Sequence, residues 1–320
     1  MAPEAAARHR LRLAIAFAMV YLVWGSTYLA IAFAIQTIPP LLMAGLRFLV
    51  AGGVLYLWAR SHGTAPPRPA QWGWAYLLGA LFFLVGNGAV VWVEQRLPSG
   101  LTALIVAMVS VWTALIEWLR PGGSRPTGVV LGGILLGFLG VALLVLPGQV
   151  GGEHVDAAGV LLLMCSTFAW ALASVLSRSA DLPRNTVQVA GMEMVAGGSL
   201  LAIVSLGLGD WGRFDPSGVT LKSGLSVLYL IVFGSLVTFT AFAWLLRVST
   251  PNKVATAGYV NPMVAVFLGW AFGGEALTPR ALFASLVIVG SVVLIITGRE
   301  LAARPRRSAR APAAAPAADG

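Results

Sequence analysis

Apolar residues fall in long blocks along this chain, separated by short polar or proline-containing stretches. Each block is about 20 residues long, which is the length that an α-helix needs to cross a bilayer. The pattern predicts ten transmembrane helices, at residues 13–35, 41–59, 74–93, 99–119, 128–147, 157–177, 186–208, 225–246, 254–272 and 281–298. The predicted fold class is therefore an all-α, polytopic membrane protein.

Composition and charge support this prediction. Of the 320 residues, 58% are hydrophobic and only 10% are charged. A soluble chain of this length could not bury so much apolar surface. The net charge of +9 does not indicate nucleic-acid binding, because most of the 21 Lys and Arg residues fall in segments that share one side of the membrane with the N-terminus. By the positive-inside rule, we expect a plasma-membrane or inner-membrane protein with both termini in the cytoplasm.

Two apolar runs each carry a single ionisable residue at matching positions in the two halves of the chain. Arg47 follows Ala44-Gly45-Leu46, and Glu193 follows Ala190-Gly191-Met192. Trp24 precedes Arg47 by the same number of residues as Trp170 precedes Glu193. These matches predict a duplication of five helices. Because five is odd, the second repeat enters the membrane from the opposite side, an inverted arrangement common in secondary transporters.

The predicted organisation has four parts: a basic cytoplasmic N-terminus (1–12), a first five-helix repeat (13–147), a second five-helix repeat (157–298) and a disordered, basic, Ala/Pro-rich cytoplasmic tail (299–320). The sole cysteine, Cys165, falls in a predicted span, so neither a disulfide framework nor a thiolate metal site is expected. We expect no metal site and no cofactor.

Arg47 and Glu193 are the candidates for intramembrane charge or coupling residues, because an ionisable group inside a span usually faces a cavity or a partner. Arg47 could attract a substrate carboxylate, and Glu193 could carry a proton or bind a cation. For both, a structural hydrogen-bonding role stays open. The inverted repeat offsets the two residues by roughly 10 Å along the membrane normal, so a direct ion pair is not assumed. Glu94, near the outer mouth, could draw cations, and Glu117 is interpreted as a local pair with Arg120.

Several polar or aromatic residues near mid-span are candidates for lining a translocation cavity. Asn261-Pro262 is predicted in mid-helix, where proline frees carbonyl groups, so Pro262 is a candidate hinge and either Asn261 or Tyr259 could contact substrate. A static kink is the alternative. Asn87 could bind substrate or hold two helices together. Trp24 and Trp170 are candidates for aromatic cavity walls rather than interfacial anchors.

The chain resembles the EamA-type branch of the drug/metabolite transporter superfamily, and within it the YedA-like exporters. The resemblance covers nearly all of residues 13–298, and its motifs are Trp24-Gly25-Ser26-Thr27-Tyr28, Pro39-Pro40, Met43-Ala44-Gly45-Leu46-Arg47-Phe48, Gly86-Asn87-Gly88, Pro98-Ser99-Gly100, Glu193-Met194, Tyr259-Val260-Asn261-Pro262 and Gly273-Gly274-Glu275. The first repeat departs from the family pattern, because it reads Arg120-Pro121-Gly122-Gly123-Ser124-Arg125 where the second has Gly274-Glu275.

The resemblance implies a secondary transporter that exports small amphipathic metabolites, such as amino acids or related compounds, by alternating access. The candidate substrate-binding residues are Trp24, Ser26, Thr27, Asn87, Trp170, Tyr259 and Asn261. The expected partners are a small-molecule substrate and the lipid bilayer, with protons as a candidate coupling ion and no nucleic acid. The protein is expected to be a monomer or a homodimer.

Other functions are weaker interpretations. A passive facilitator and a multidrug exporter remain alternatives within the transporter class. Gly207-Leu208-Gly209-Asp210 matches the Gly-x-Gly-Asp string of intramembrane aspartyl proteases, but the chain's other aspartates fall in predicted loops or at span ends. Such chemistry needs two carboxyl groups that share a proton. We therefore predict that the protein is not an enzyme.

Overall fold

The structure is a computed structural model that describes residues 3–121, 123, 125–145, 149–150, 153–154, 156–249, 253–254 and 256–303. In the first half, α1 comprises Pro3–Ala18, the π-helical turn Met19–Val23 and Trp24–Ala34; α2 is Pro40–Ser61; α3 comprises Pro69–Gly79, the π-helical segment Ala80–Asn87 and Gly88–Val93; α4 comprises Ser99–Val106 and Val109–Leu119; and α5 is Gly128–Val145.

A two-residue antiparallel pair, β1 (Gln149–Val150) and β2 (Glu153–His154), lies between the halves. In the second half, α6 is Ala157–Leu176; α7 is Thr186–Gly207; α8 comprises Leu221–Tyr229, the π-helical segment Leu230–Val237 and Thr238–Val248; α9 is Ala257–Gly273; and α10 is Pro279–Ala303. Short helical turns at Asp210–Arg213 and Pro216–Gly218 connect α7 to α8.

The helices begin where local chemistry satisfies their first N–H groups. Proline occupies the first turn of α2, α3 and α10, where no intrahelical hydrogen bond is lost. Asp156 caps α6 by accepting from Ala158 N at 3.0 Å, and Asn185 caps α7 by accepting from Val187 N at 2.9 Å. These caps fix the register in which each apolar block enters the bundle.

The all-α, polytopic architecture predicted from the sequence is confirmed. In the part of the chain that the structure describes, 8 helices are long and apolar enough to cross a membrane, namely α1 to α4, α6 to α8 and α10. Two further apolar helices, Gly128–Leu144 and Ala257–Gly273, are shorter. The count of ten transmembrane helices therefore stays a prediction.

Helices α2 and α7 hold equivalent positions in the two halves and pack against each other through glycines. A Cβ on Gly45 would lie 3.1 Å from Ala202 N, and a Cβ on Gly52 would lie 2.7 Å from Val195 N. At the far end, a Cβ on Gly191 would lie 2.6 Å from Tyr56 N. Residue numbers rise along α2 as they fall along α7, so the two helices are antiparallel. This is the relation that inverted repeats require.

A second antiparallel seam joins α5 to α10, the last helix of each half. A Cβ on Gly133 would lie 2.9 Å from Ser291 O, and a Cβ on Gly298 would lie 3.2 Å from Val130 N. Small residues allow such close backbone approach in membrane proteins, where packing replaces the hydrophobic effect between helices. Gly133 and Gly137, which are four residues apart on α5, both lie in this seam against Ser291.

Three details differ from the predictions. Glu117 pairs with Arg178 at 2.7 Å and Arg299 at 3.0 Å, so the predicted local pair with Arg120 is wrong. Residues 299–303, predicted to begin the tail, continue α10, while residues 304–320 lie outside the described part. Pro262 lies in the second turn of α9, nearer its start than the mid-helix position predicted, and the helix continues unbroken to Gly273.

Candidate functional site

Arg47 is a buried cation whose hydrogen-bonding capacity is largely unused. It lies on α2 with 6% of its surface exposed, and its Nε donates to Ser235 Oγ on α8 at 3.0 Å. Its guanidinium carbon lies 4.8 Å from the centroid of the Phe48 ring. Within the described residues, the Nη atoms have no protein acceptor. Since a guanidinium has five N–H donors, four of them are open to another partner.

A glycine on α8 makes room for this guanidinium. A Cβ on Gly234 would lie 3.2 Å from Arg47 Nη2 and 3.1 Å from Thr27 Cγ2. Gly234 lies in the π-helical segment Leu230–Val237, which leaves backbone carbonyls available to side chains. One of them, Gly234 O, accepts from Trp24 Nε1 at 3.1 Å. The α8 segment therefore receives side chains from both α1 and α2.

Other α1 side chains contact α8 on either side of this π-helical segment. Ser26 Oγ lies 2.6 Å from Tyr229 Oη, and the rings of Trp24 and Phe242 are 4.9 Å apart. Thr27 Oγ1 donates to Trp24 O at 2.6 Å. Of the residues predicted from the sequence, the structure thus brings together Trp24, Ser26, Thr27 and Arg47. Tyr229, Ser235 and Phe242 complete this cluster and were not predicted.

The equivalent contact with the repeats exchanged joins Trp170, on α6 of the second repeat, to the π-helical segment of α3 that contains Asn87. Trp170 lies against Gly86 in the π-helical segment of α3, with Cε3 3.0 Å from where a Cβ on Gly86 would lie. Gly86 O accepts from Ser166 Oγ at 2.8 Å, and Asn87 Nδ2 donates to Phe82 O at 3.4 Å. Asn87 is thus bonded within its own segment, and whether it binds substrate or holds two helices together stays a prediction.

Asn261 also contacts a π-helical turn. With its amide nitrogen directed towards α1, it lies 3.3 Å from both Val20 O and Tyr21 O in the turn Met19–Val23. Tyr21 Oη lies 2.5 Å from Thr256 Oγ1, which adds a second link between α1 and the start of α9. Tyr259 is half-buried and packs on the main apolar core. Of the candidates on α9, Asn261 therefore lies at the α1–α9 contact.

Glu193 is buried on α7 with 6% of its surface exposed, and its Oε1 has no hydrogen-bond partner in the described part of the chain. Its backbone is level with Gly52 of α2, which is five residues beyond Arg47, or about 7 Å along the helix. None of the described ion pairs joins it to Arg47. The matching positions in the sequence therefore mark the helix pair that packs most closely, but not a salt bridge.

Glu94 is a buried carboxyl group that the sequence placed at the outer mouth. It directly follows α3 and is 8% exposed, and neither carboxylate oxygen has a partner among the described residues. Burial raises the pKa of Glu94, the nearby Glu275 raises it further, and Arg47 lowers it. Its position at a helix end gave no sign of burial, so sequence reasoning could not have ranked it highly.

Glu275 joins the two repeats at the start of α4. Its Oε1 accepts from Ser99 N at 2.6 Å and Ser99 Oγ at 2.5 Å, and its Oε2 accepts from Gly100 N at 3.0 Å. Gly274 has φ +71°, a conformation that favours glycine and that turns the chain after α9. The family motif Gly274-Glu275 thus has a structural role here: it caps a helix of the opposite repeat.

Replacing Glu275 by alanine should lower the unfolding free energy by about 1–3 kcal/mol, because three donors at the start of α4 lose their acceptor. Thermal unfolding of the purified protein in detergent would measure this. Glu300→Ala is the matched control, since Glu300 is exposed on α10. Equal melting temperatures for the two variants would contradict the capping role.

The described residues contain no group of three or more His, Cys, Asp or Glu side chains that could hold a metal ion. Asp210, from the protease-like string, accepts from Ser205 Oγ at 3.0 Å and Arg213 Nη2 at 2.8 Å. These are local contacts beside its helical turn. They give Asp210 a structural role, and no second aspartate contacts it within the part of the chain that the structure describes.

The sequence matches the EamA-like transporter family twice, at residues 12–146 and 157–297. The Escherichia coli (strain K12) inner membrane transporter YedA is 37% identical over 285 residues, covering 88% of this chain and 90% of the relative. The chain belongs to the EamA-like transporter family. The family resemblance and the duplicated, multi-pass architecture predicted from the sequence are thereby confirmed.

Other relatives of this transporter extend the comparison. A protein of Salmonella typhimurium named "Probable amino-acid metabolite efflux pump" is 27% identical over 304 residues, covering 91% of this chain and 96% of the relative. A solved crystal structure superposes with a TM-score of 0.59 over 90% of this chain and 98% of the other, at 22% sequence identity. That structure supports the fold alone. Together, the comparisons establish a membrane transporter with a small-molecule substrate.

Proposed function

We propose that this EamA-like transporter exports small amphipathic metabolites that carry a carboxylate, such as amino acids and related compounds, by alternating access. The observation that carries the proposal is the buried Arg47 guanidinium, which makes a single hydrogen bond to described side chains. A buried cation without a counter-ion is costly, so a substrate anion that completes its hydrogen bonds is strongly favoured there.

The surroundings of Arg47 suit an amphipathic solute. Trp24, Tyr229 and Phe242 supply aromatic surface on α1 and α8, while Ser26 and Ser235 supply hydroxyl groups. Trp24 and Tyr229 combine an apolar body with a polar tip, which suits a ligand that has one charged end and one apolar end. A purely cationic drug would be repelled by Arg47, and this argues against the multidrug alternative.

The two repeats supply a path for alternating access. Trp24 packs on Gly234 in α8, and Trp170 packs on Gly86 in α3, so each repeat places a tryptophan on a π-helical segment of the other. Local departures from α-helical hydrogen bonding are found at functional hinges. We infer that these paired contacts loosen in turn as the halves rock about the central α2–α7 seam. Whether Pro262 contributes a hinge stays a prediction.

The membrane orientation is part of the proposal. The distribution of Lys and Arg supports an inner-membrane location with both termini in the cytoplasm. This places Glu94, Ser99 and Glu275 at the outer side. Export is supported by the efflux named for the Salmonella relative. Coupling to protons and assembly as a monomer or a homodimer stay predictions.

Uptake of radiolabelled amino acids into proteoliposomes, with and without an imposed pH gradient, tests this function. We expect saturable uptake of at least one carboxylated compound, and uptake against its concentration gradient only while the pH gradient is present. Equal downhill flux under both conditions would identify a facilitator. Transport restricted to compounds without a carboxylate would refute the proposed substrate class.

A further inference from the structure

Glu94 and Arg47 are buried ionisable groups of opposite sign, and within the described residues neither makes its full set of hydrogen bonds. Arg47 has four open N–H donors, and Glu94 has two carboxylate oxygens with no hydrogen-bond partner in the described chain. Helix α2, which carries Arg47, packs against Gly88–Val93, the segment of α3 that ends directly before Glu94, yet none of the described ion pairs joins the two side chains. The two groups therefore lie at adjacent helices without forming a salt bridge to each other.

None of the other described groups around Glu94 hydrogen-bonds to its carboxylate. Within the described residues, the other titratable groups that interact electrostatically with Glu94 are Glu275, after α9, and the neutral phenol of Tyr28 on α1. Glu275 is already occupied by Ser99 and Gly100. On Glu94's own connection, Arg96 is directed to Asp156 at 3.4 Å. Among the described residues, Glu94 thus has no cation in contact and Arg47 has no anion in contact.

A zwitterion is the ligand class that satisfies both charges at once. An α-amino acid carries a carboxylate and an ammonium group on one carbon, so it needs an anion site and a cation site that are near each other but not in contact. Buried polar groups select strongly for ligands that complete their hydrogen bonds, because an analogue lacking one group leaves a buried group unpaired. Carboxylic acids without an amino group would leave Glu94 unpaired.

We propose that Glu94 binds the substrate's ammonium group while Arg47 binds its carboxylate, and that protons compete with the ammonium group for Glu94. This rests on the proposed function and narrows its substrate class to α-amino acids. A proton from the outer solution occupies the Glu94 carboxylate and the substrate's ammonium group leaves it. On the cytoplasmic side the proton is lost to water and a new ammonium group takes its place. Each cycle moves one proton inward and one amino acid, which carries no net charge, outward. The result is proton antiport with a net inward transfer of one positive charge.

The first test compares inhibitors of wild-type uptake in proteoliposomes. The three inhibitors are the transported amino acid, the same compound without its amino group (the deaminated acid) and the same compound without its carboxyl group (the decarboxylated amine). We expect the amino acid to inhibit at concentrations at least about 10-fold lower than either analogue. If the deaminated acid inhibits equally well, the carboxylate proposal survives and the zwitterion proposal fails. If no carboxylated compound is transported, both fail.

The second test assigns the preference to Glu94. In Glu94→Gln, the deaminated acid should inhibit uptake as strongly as the amino acid does. The pH gradient should no longer drive accumulation of substrate. Glu94→Asp, which keeps the charge, should retain the preference. Glu193→Gln is the matched control, because it removes the other buried carboxyl group and should leave the preference unchanged. Loss of the preference in Glu193→Gln but not in Glu94→Gln would overturn the assignment.

Discussion

Arg47→Gln is expected to lower uptake of carboxylated substrates into proteoliposomes by about 100-fold or more. The side chain is buried and makes one hydrogen bond to a described residue, Ser235, so its remaining donors are available to substrate. Truncating one partner of a buried, hydrogen-bonded charge pair typically costs 2–5 kcal/mol, which corresponds to this loss of affinity. Initial rates measured over a range of substrate concentrations would separate weaker binding from slower turnover.

Two further variants distinguish substrate binding from a structural role. Arg47→Lys keeps the charge but lacks the planar fork, so we expect partial transport with weaker binding. Arg96→Gln is the matched control, because Arg96 pairs with Asp156 on the surface and should transport normally. Size-exclusion profiles must match those of wild type for each variant. A folded Arg47→Gln protein with wild-type uptake would refute the carboxylate site.

Much of the fold could be predicted from one-dimensional patterns. Membrane spans follow from runs of apolar residues, because the bilayer fixes both their length and their composition. The inverted repeat followed from Arg47 and Glu193, whose matching positions lie on α2 and α7. Those helices pack antiparallel through glycines such as Gly52 and Gly191. The matching positions therefore fall on equivalent helices, and the structure adds that these two helices pack against each other.

The candidate site was predictable only in part, because partners far apart in the sequence decide what each residue does. Ser235 is 188 positions from Arg47, and no local pattern marks it. Asn261 was a candidate for substrate contact, but its amide lies against the π-helical turn of α1, a departure from α-helical hydrogen bonding that apolar periodicity does not reveal. Glu94 follows a helix end, where its burial depends on the packing of α1, α2 and the α9–α10 connection.

Gly52→Ala should destabilise the protein by about 1–3 kcal/mol, whereas the same change at the adjacent Gly53 should be neutral or stabilising by up to about 1 kcal/mol. A Cβ on Gly52 would lie 2.7 Å from both Met194 Cβ and Val195 N, so α2 and α7 would have to separate. A Cβ on Gly53 would have no atom within 4 Å. Both changes raise helix propensity equally, so the difference between them isolates the packing of the two repeats.

Thermal unfolding of both variants in the same detergent would measure this difference, and transport adds a functional readout. If the halves rock about the α2–α7 seam, a wider seam in Gly52→Ala should also slow exchange of substrate across the membrane. Gly53→Ala should transport at the wild-type rate, because its methyl group points away from the seam. If the two proteins were equally stable, the α2–α7 seam would accommodate a methyl group. Glycine would then not determine the distance between the two repeats.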